Sequence, residues 1–592
     1  MKTILSACVA SLLLPLTAFT QSSHQPPVET IFVHGDILTG AHLKKSDSSV
    51  TPGRVTALAI AGGRIVAVGS DDQVLKLKGE STKVIDLNGA FAMPGFNDAH
   101  THIAGAGQQH LTVDLTGSKS LAEMLDRIKA YAADPAVAAN PASWIKGGGW
   151  DHTLWPGKVL PTKTDLDAVT GKHPAVLERV DGHILVANSA ALEAAGITAA
   201  TKAPTGAAID HDATGEPTGI LREDAAMELV DRKIPPPSSD VRRRALQYSI
   251  DEALAHGVTS VQDLSEYEDF LVLESMERQH ALKLRVSEWM AFDTPVEVLK
   301  QRRAAHDAND PLLHLGMLKG FMDGSLGSRT AAMEDPYADD TGNTGLLRYS
   351  DQAKLNAMAT ARAAAGFQLG FHAIGDRANE VALDAFQAAE QVAVLPGQRP
   401  APVDPDAAIV AHVDAAPGAS QLRYRIEHAQ VVEAEDFDRF AKLGVIASMQ
   451  PSHLLTDMNW AGARLGPDRV ALSYTWKSFL DHGVTLAFGT DYPVESIGPF
   501  RGLYAAVTRM NEAGTQTYQP QEKVTIEEAL YAYTQGSAFA EFREGEKGRL
   551  EPGYLADLVV LDRDVTKVSP QELLGTKVLR TVVGGETVFG GK

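Results

Sequence analysis

The sequence predicts an α/β fold with three parts: a TIM-like (β/α)8 barrel, a composite β-sandwich built from both termini, and an inserted subdomain after strand 1. The middle of the chain alternates short apolar runs of β type with Ala-rich helical stretches, which is typical of a parallel α/β barrel. Both ends of the chain instead contain short β-type runs separated by Gly-rich turns. A long stretch between the first two barrel strands does not fit a simple βα unit.

The alternating pattern assigns eight barrel strands, and the first of them ends in a histidine pair. They are Phe91–His102, Val258–Asp263, Leu284–Met290, Leu315–Asp323, Phe367–His372, Arg423–His428, Val445–Met449 and Thr485–Asp491. We therefore place the β-sandwich at residues 29–93 plus 546–592, the barrel at 94–545, and the inserted subdomain at roughly 110–240. Insertions after barrel strands usually cover the active-site mouth, so this one is expected to shape a substrate pocket.

The first residues have the pattern of a secretory signal peptide. Lys2 precedes an apolar run from Ile4 to Phe19, and Ala18 and Thr20 suit a cleavage site before Gln21. Residues 1–20 therefore predict a periplasmic or secreted protein. The run is shorter than the roughly 20 residues that a membrane-spanning helix needs, and an uncleaved membrane anchor is the alternative. Cys8 is the only cysteine, so a cleaved protein would have to hold any metal with histidine, carboxylate or a rarer ligand.

The charge balance excludes one class of partner. The chain has 54 Lys and Arg residues against 75 Asp and Glu residues, a formal net charge of −21, and no basic run. Nucleic-acid binding requires clustered positive charge, so it is not expected. Beyond the signal segment, no membrane association is expected either. The predicted partner is a small-molecule substrate, and the sequence leaves a homodimer open.

The histidine pair predicts a metal site. His100 and His102 are two apart on a strand, so both imidazoles point to the same face at the C-terminal edge of the barrel. His372, His428 and Asp491 close later predicted strands, and Lys319 lies within strand 4. Imidazole and carboxylate ligands suit Zn²⁺, with Mn²⁺ or Fe²⁺ as alternatives.

Six segments, in order along nearly the whole chain, resemble one family. The chain is similar to the amidohydrolase superfamily, and within it to amidohydrolase family 3, typified by the N-substituted formamide deformylases. The segments that carry the resemblance are Gly95–His102, Lys319–Thr330, Phe371–Asp376, Arg425–Ala429, Gly489–Pro493 and Gly553–Leu558.

The resemblance implies a site for two divalent ions. His100, His102 and Asp491 would hold one ion, His372 and His428 the other, and Lys319 would bridge both as a carbamate formed from CO₂. A hydroxide shared by the ions would attack an amide-type, non-peptide C–N bond of a small molecule, with Asp491 as base and then acid. A single-ion site, or a plain ion pair of Lys319 with an aspartate, is the alternative for the lysine.

Other functions remain open for the same residues. The same centre would also serve a hydrolase of a cyclic imide, a dipeptide-like amide or an ester. A metal-containing binding protein without turnover is a different class, but no ligand position is missing from the pattern. Four further residues are predicted substrate contacts: His183, Asp323, Arg329 and His453. Arg329 would bind a carboxylate of the substrate. Each of the four could equally be a structural hydrogen-bonding residue.

Overall fold

A computed structural model describes residues 27–44, 46–140, 142–179, 184–204, 207–390 and 422–591. Eight parallel strands form its central sheet, in which neighbours along the chain are neighbours in space. We number them β1 to β8: Phe96–Thr101, Val258–Asp263, Arg285–Ala291, Leu313–Phe321, Leu369–Ala373, Arg425–His428, Ile446–Met449 and Leu486–Phe488. The predicted barrel is therefore present, and the predicted signal peptide lies outside the described residues.

Helices connect the strands of the barrel. The main ones are Ile103–His110, Ser239–Ala255, Tyr267–Arg278, Val296–Ala305, Gln352–Ala364, Asp376–Glu390, Asp436–Leu443, Trp476–Asp481 and Pro499–Thr508. Shorter helices are His453–Asp457, Ala461–Val470, Ile526–Tyr531 and Ser537–Ala540. In the described part of the chain, none of the helices is long and apolar enough to cross a membrane.

The two edges of the central sheet meet at the C-terminal end of β1. A parallel bridge joins Thr101 to Tyr492, and the His102 N–H donates to the Tyr492 carbonyl at 2.8 Å. The Asp491 N–H donates to the His100 carbonyl, also at 2.8 Å. The segment after β8 is thereby fixed beside the histidine pair, at the edge where active sites of this fold lie.

Two further sheets combine both ends of the chain. A four-stranded sheet has the order Arg64–Gly69, Ala57–Ala61, Thr30–Val33, Lys83–Asp86. A six-stranded sheet has the order Glu586–Gly590, Val578–Val583, Leu558–Leu561, Phe91–Pro94, Asp36–Leu38, Arg54–Val55. Phe32, Leu58, Ala92, Val560 and Val582 belong to one buried apolar cluster drawn from both sheets. This is the composite β-sandwich that the sequence predicts.

The predicted strand Phe91–His102 is wrong as a single element. The structure has two strands here, Phe91–Pro94 in the sandwich and β1 in the barrel. The break falls at Gly95. An added Cβ there would lie 2.2 Å from the side chain of Thr259 in β2, so this position has no room for a larger residue. The apolar run continues from Phe91 to Phe96 across the break, and for that reason the two strands read as one.

An additional six-stranded sheet lies between β1 and β2 in the chain. Its order is Ala208–His211, Pro217–Arg222, Ile184–Ala187, Ala175–Arg179, Ile145–Trp150, Val113–Asp114. Helices Leu121–Ala132, Lys163–Thr170, Ser189–Ala195 and Asp224–Asp231 accompany it. Trp150 and Trp155 are buried in a cluster of their own with Ile128 and Leu166, so this insertion has a separate apolar core.

A buried ion pair joins the barrel to the sandwich. Arg285 of β3 donates from Nε and Nη2 to the two carboxylate oxygens of Asp557, at 2.6 and 2.8 Å. Replacing Asp557 with alanine is expected to lower the free energy of unfolding by about 3–5 kcal/mol, because Arg285 would be left buried and unpaired. The midpoint of urea unfolding, followed by circular dichroism, measures this change.

The matched control is Asp562→Ala, which removes a partly exposed pair with Arg563. Such pairs contribute about 0–1 kcal/mol, so the control should unfold close to the parent. Equal midpoints for the Asp557 and Asp562 variants would contradict a structural role for the buried pair.

Candidate metal centre

The two histidines at the end of β1 present one nitrogen each to the barrel mouth. Nδ1 of His100 lies 2.9 Å from a carboxylate oxygen of Glu427, and Nδ1 of His102 lies 3.0 Å from the Leu264 carbonyl. Both partners only accept hydrogen bonds, so Nδ1 carries the hydrogen in each ring. In the neutral form of each ring, Nε2 therefore keeps its lone pair. Burial and the nearby charge of Lys319 lower the pKa of His100 to about 3, which also favours the neutral ring.

Glu427 is held in place by Arg425 inside the barrel. Arg425 donates from Nε to Glu427 at 2.9 Å and from Nη2 to the Ala99 carbonyl at 2.8 Å and the Ser448 hydroxyl at 2.9 Å. Burial alone would raise the pKa of Glu427, but the charge of Arg425 and the bond to His100 hold it well below the ordinary value. Glu427 is thus a permanent acceptor that orients His100.

Asp491 follows β8 and faces the histidine pair. Its Oδ1 lies 3.1 Å from Nε2 of His102 and 3.5 Å from Nε2 of His100, and this buried oxygen has no hydrogen-bond partner among the described residues. Two nitrogen lone pairs and one carboxylate oxygen therefore converge, which suits a divalent cation.

A second convergence involves His428, at the end of β6. Its Nδ1 lies 2.8 Å from the side-chain amide oxygen of Gln450, which leaves Nε2 facing the site. Suitable atoms of His428, His453 and Asp491 all lie within 4.8 Å of one another. His428 and Asp491 have backbone φ angles of +78° and +59°, a conformation that residues other than glycine seldom adopt and that clusters at functional sites.

Lys319 of β4 lies between these groups. Its Nζ is 3.0 Å from Nε2 of His100, and the side chain is buried. Burial lowers the pKa of Lys319 to about 8, although the charges of Glu427 and Asp491 partly oppose the shift. A larger fraction of the amine is therefore uncharged near neutral pH than for an exposed lysine.

His372 is placed beside the centre but outside both convergent groups. Its ring centroid is 4.5 Å from that of His428, while its Nε2 donates to the Gly324 carbonyl at 3.0 Å. Asp323, predicted to contact substrate, accepts backbone N–H groups of Ala332, Ile374 and Gly375 at 2.9–3.0 Å. Its carboxylate is thus occupied in holding the loops around β4 and β5.

The other predicted substrate contacts lie in different surroundings. Arg329 donates from Nε and Nη2 to Asp339, both at 3.0 Å, so its guanidinium already has a carboxylate of this chain as partner. His453 is buried within the second convergent group. His183 lies outside the described residues.

Sequence reasoning missed the residues that orient the histidines, Glu427, Arg425 and Gln450. A signal for the first two was present, because charged side chains two apart in an otherwise apolar strand must face a polar partner. Gln450 gave no such signal, since a glutamine after a strand is ordinarily exposed.

The comparisons with known proteins agree on one family. The sequence profile of the amidohydrolase family matches residues 83–589. Protein LONG AFTER FAR-RED 3 of Arabidopsis thaliana is 34% identical over 599 residues, covering 99% of this chain and 96% of that protein. N-substituted formamide deformylase of Arthrobacter pascens is 27% identical over 541 residues, which cover 89% of this chain and 94% of that protein. The crystal structure of an uncharacterised metal-dependent hydrolase from Pyrococcus furiosus matches with a TM-score of 0.73 and 29% identity. The match covers 91% of this chain and 100% of that one. These matches confirm the predicted resemblance: the chain belongs to the amidohydrolase family.

Proposed function

We propose that the protein is a metal-dependent hydrolase that cleaves an amide-type, non-peptide C–N bond of a small molecule. The observation that carries this proposal is the convergence of His100, His102 and Asp491 on one point, where a carboxylate oxygen lacks a hydrogen-bond partner within the described part of the chain. The His102 side chain is 28% exposed, so a substrate can approach this point from the mouth. The similarity to an N-substituted formamide deformylase supports the choice of bond.

Each side chain then has a part in hydrolysis. Divalent ions, for which we propose Zn²⁺, would supply Lewis acidity and ease the ionisation of water at neutral pH. Nε2 of His100 and of His102 and a carboxylate oxygen of Asp491 would hold one ion. Asp491 would take a proton from the attacking water and pass it to the departing nitrogen, as base and then acid.

A second ion is proposed beside His428. The neutral Lys319 amine would add to CO₂ and release one proton, giving a carbamate whose single negative charge is shared by two oxygens that would help to hold the ions. The resemblance assigns His372 as the remaining ligand of this ion.

The proposed setting is outside the cytoplasm. It rests on the signal-peptide pattern of residues 1–20, which lie outside the described residues. The proposed partner is a small molecule, with no nucleic acid, and a homodimer stays open.

Chelation followed by reloading tests the proposed activity. We expect mature protein prepared with zinc and bicarbonate to hydrolyse an N-substituted formamide, to lose activity after chelation, and to regain it with zinc. Liberated amine is measured, with a cyclic imide, a dipeptide and an ester as comparison substrates. Unchanged turnover in metal-depleted protein, or a folded protein that takes up no metal, would refute the proposal.

Gln450, which accepts a hydrogen bond from the His428 ring, should affect the affinity for metal. Replacing Gln450 with leucine removes the acceptor that orients the His428 ring, so affinity for the ion beside it should fall by about 10- to 100-fold. Competition with a chromophoric chelator measures the affinity. Gln450→Glu keeps an acceptor at the same place and should bind more tightly than the leucine variant. Parental affinity in Gln450→Leu would show that this contact is dispensable.

A further inference from the structure

We infer that three buried side chains inside the barrel, below the metal centre, are positioning residues for the ligand His100: Gln262, Asn97 and Glu541. The inference rests on the proposed function, because it concerns a ligand of the centre proposed there. The hydrogen bonds described above extend behind His100 as far as Arg425. They continue from Arg425 through these three side chains, which together with Arg425 we call the polar column.

The polar column runs down the inside of the barrel. Arg425 of β6 donates from Nη1 to the side-chain oxygen of Gln262 in β2. The Gln262 amide nitrogen donates to the Ser537 carbonyl at 2.8 Å and to the side-chain oxygen of Asn97 in β1 at 3.4 Å. The Asn97 amide nitrogen donates to Glu541 at 2.6 Å. Barrels of this class ordinarily fill the same space with layers of apolar side chains.

A buried lysine holds the lower end of the column. Nζ of Lys547 lies 2.5 Å from Oε1 of Glu541 and donates to the Ser260 hydroxyl at 2.7 Å. Lys547 and Glu541 are both buried, in the segment that leads from the barrel to the sandwich strand Leu558–Leu561. A carboxylate paired with an ammonium group can only accept hydrogen bonds, so the column ends on a fixed acceptor.

The charges at its two ends fix the direction of every hydrogen bond in the column. The Arg425 guanidinium can only donate, so the Gln262 amide turns its oxygen toward it. The Glu541 carboxylate can only accept, so the Asn97 amide turns its NH₂ group toward it. The NH₂ group of Gln262 then meets the oxygen of Asn97, as the structure has it. Reversing either amide would bring two donors or two acceptors together, so each side chain has one orientation.

This orientation reaches His100 through Arg425 and Glu427. Gln262 accepts from Nη1 of Arg425, while Glu427 accepts from Nε and Nη2 of the same guanidinium. The guanidinium is planar, so holding Nη1 from below prevents its plane from turning away from Glu427. Glu427 lies 2.9 Å from Nδ1 of His100. Partners behind a metal-binding histidine fix its ring and raise metal affinity, so the column should do so from a distance.

Cobalt binding by two matched glutamine variants tests the inference. Gln262→Met removes the acceptor of Arg425 but nearly keeps the side-chain volume. The control is Gln368→Met, since Gln368 is also buried but donates to the Arg423 and Ala540 carbonyls, outside the column. In bicarbonate buffer, Gln262→Met should bind Co²⁺ about 10-fold more weakly than the parent, with an altered visible spectrum. Gln368→Met should match the parent in both. Competition with a chromophoric chelator measures the affinity, and circular dichroism establishes folding.

A double variant tests the route through Glu427. In Glu427→Gln the amide can turn either end toward His100, so the ring is no longer oriented. Adding Gln262→Met to Glu427→Gln should lower the affinity no further, because Gln262 acts through that residue. Gln262→Glu keeps an oxygen toward Arg425 and should bind Co²⁺ more tightly than Gln262→Met. A role in packing alone would produce neither result.

Several outcomes would overturn the inference. Parental affinity and spectrum in folded Gln262→Met would do so, as would equal losses in Gln262→Met and Gln368→Met, or a further loss in the double variant. If Gln262→Met does not fold, Asn97→Leu breaks the column one link lower and should also weaken Co²⁺ binding; parental affinity there would overturn the inference. These results leave the hydrolase intact, whereas a folded parent that takes up no cobalt would refute the proposed function as well.

Discussion

Replacement of Asp491 by asparagine is expected to lower kcat/KM by about 10²- to 10⁴-fold, the usual contribution of a positioned acid–base group. The amide has nearly the same shape, so the backbone bond to His100 should persist. An asparagine cannot accept the proton of the attacking water and return it to the leaving nitrogen. Steady-state kinetics on an amide substrate, with metal content measured in parallel, would separate this loss from loss of an ion.

The matched control for this change is Asp438→Asn. The Asp438 side chain is 87% exposed, so the same chemical change should leave turnover at the parental level. If Asp491→Asn retains both metal and turnover, Asp491 does not transfer the proton. If turnover falls only as metal is lost, Asp491 acts as a ligand alone.

Replacement of Lys319 by methionine is expected to remove one of two ions and abolish any response to bicarbonate. Methionine fills a similar buried volume but cannot react with CO₂, so the bridging anion would be missing. Without it, the neutral imidazoles and Asp491 would have to balance two dications. Elemental analysis of protein prepared with zinc, with and without bicarbonate, measures both effects.

Lys442→Met provides the matched control, because Lys442 is exposed on helix Asp436–Leu443. It should keep both ions and the bicarbonate response. Two ions in folded Lys319→Met would exclude the carbamate and leave Lys319 as a partner of His100. One ion in both the parent and Lys319→Met would indicate a single-ion site.

The barrel was predictable because short runs of β type alternate with helical stretches along the middle of the chain. β2 was predicted with the bounds that the structure has, Val258–Asp263. The error at Phe91–His102 has a clear cause, since the apolar run that forms the sandwich strand continues to Phe96, the first residue of β1. Only the contact between Gly95 and Thr259, distant in sequence, reveals the break.

The candidate site was predictable where it depends on strand ends and not where it depends on loops. His100, His428 and Asp491 follow or close parallel strands, whose C-terminal ends share one edge. The orientation of His428 depends on Gln450, which lies in the loop after β7. No periodicity or spacing relates these residues, so their meeting appears only in three dimensions.

The shared sandwich sheet also sets an order for synthesis. Phe91–Pro94 pairs with Leu558–Leu561, which the ribosome makes only after all eight barrel strands. Until then the earlier strand keeps an open edge, and open edges are sites of aggregation. β1 and its histidines continue directly from that strand. When every candidate metal ligand has been synthesised, the strand Phe91–Pro94, which leads into β1 and His100, therefore still lacks its partner strand Leu558–Leu561.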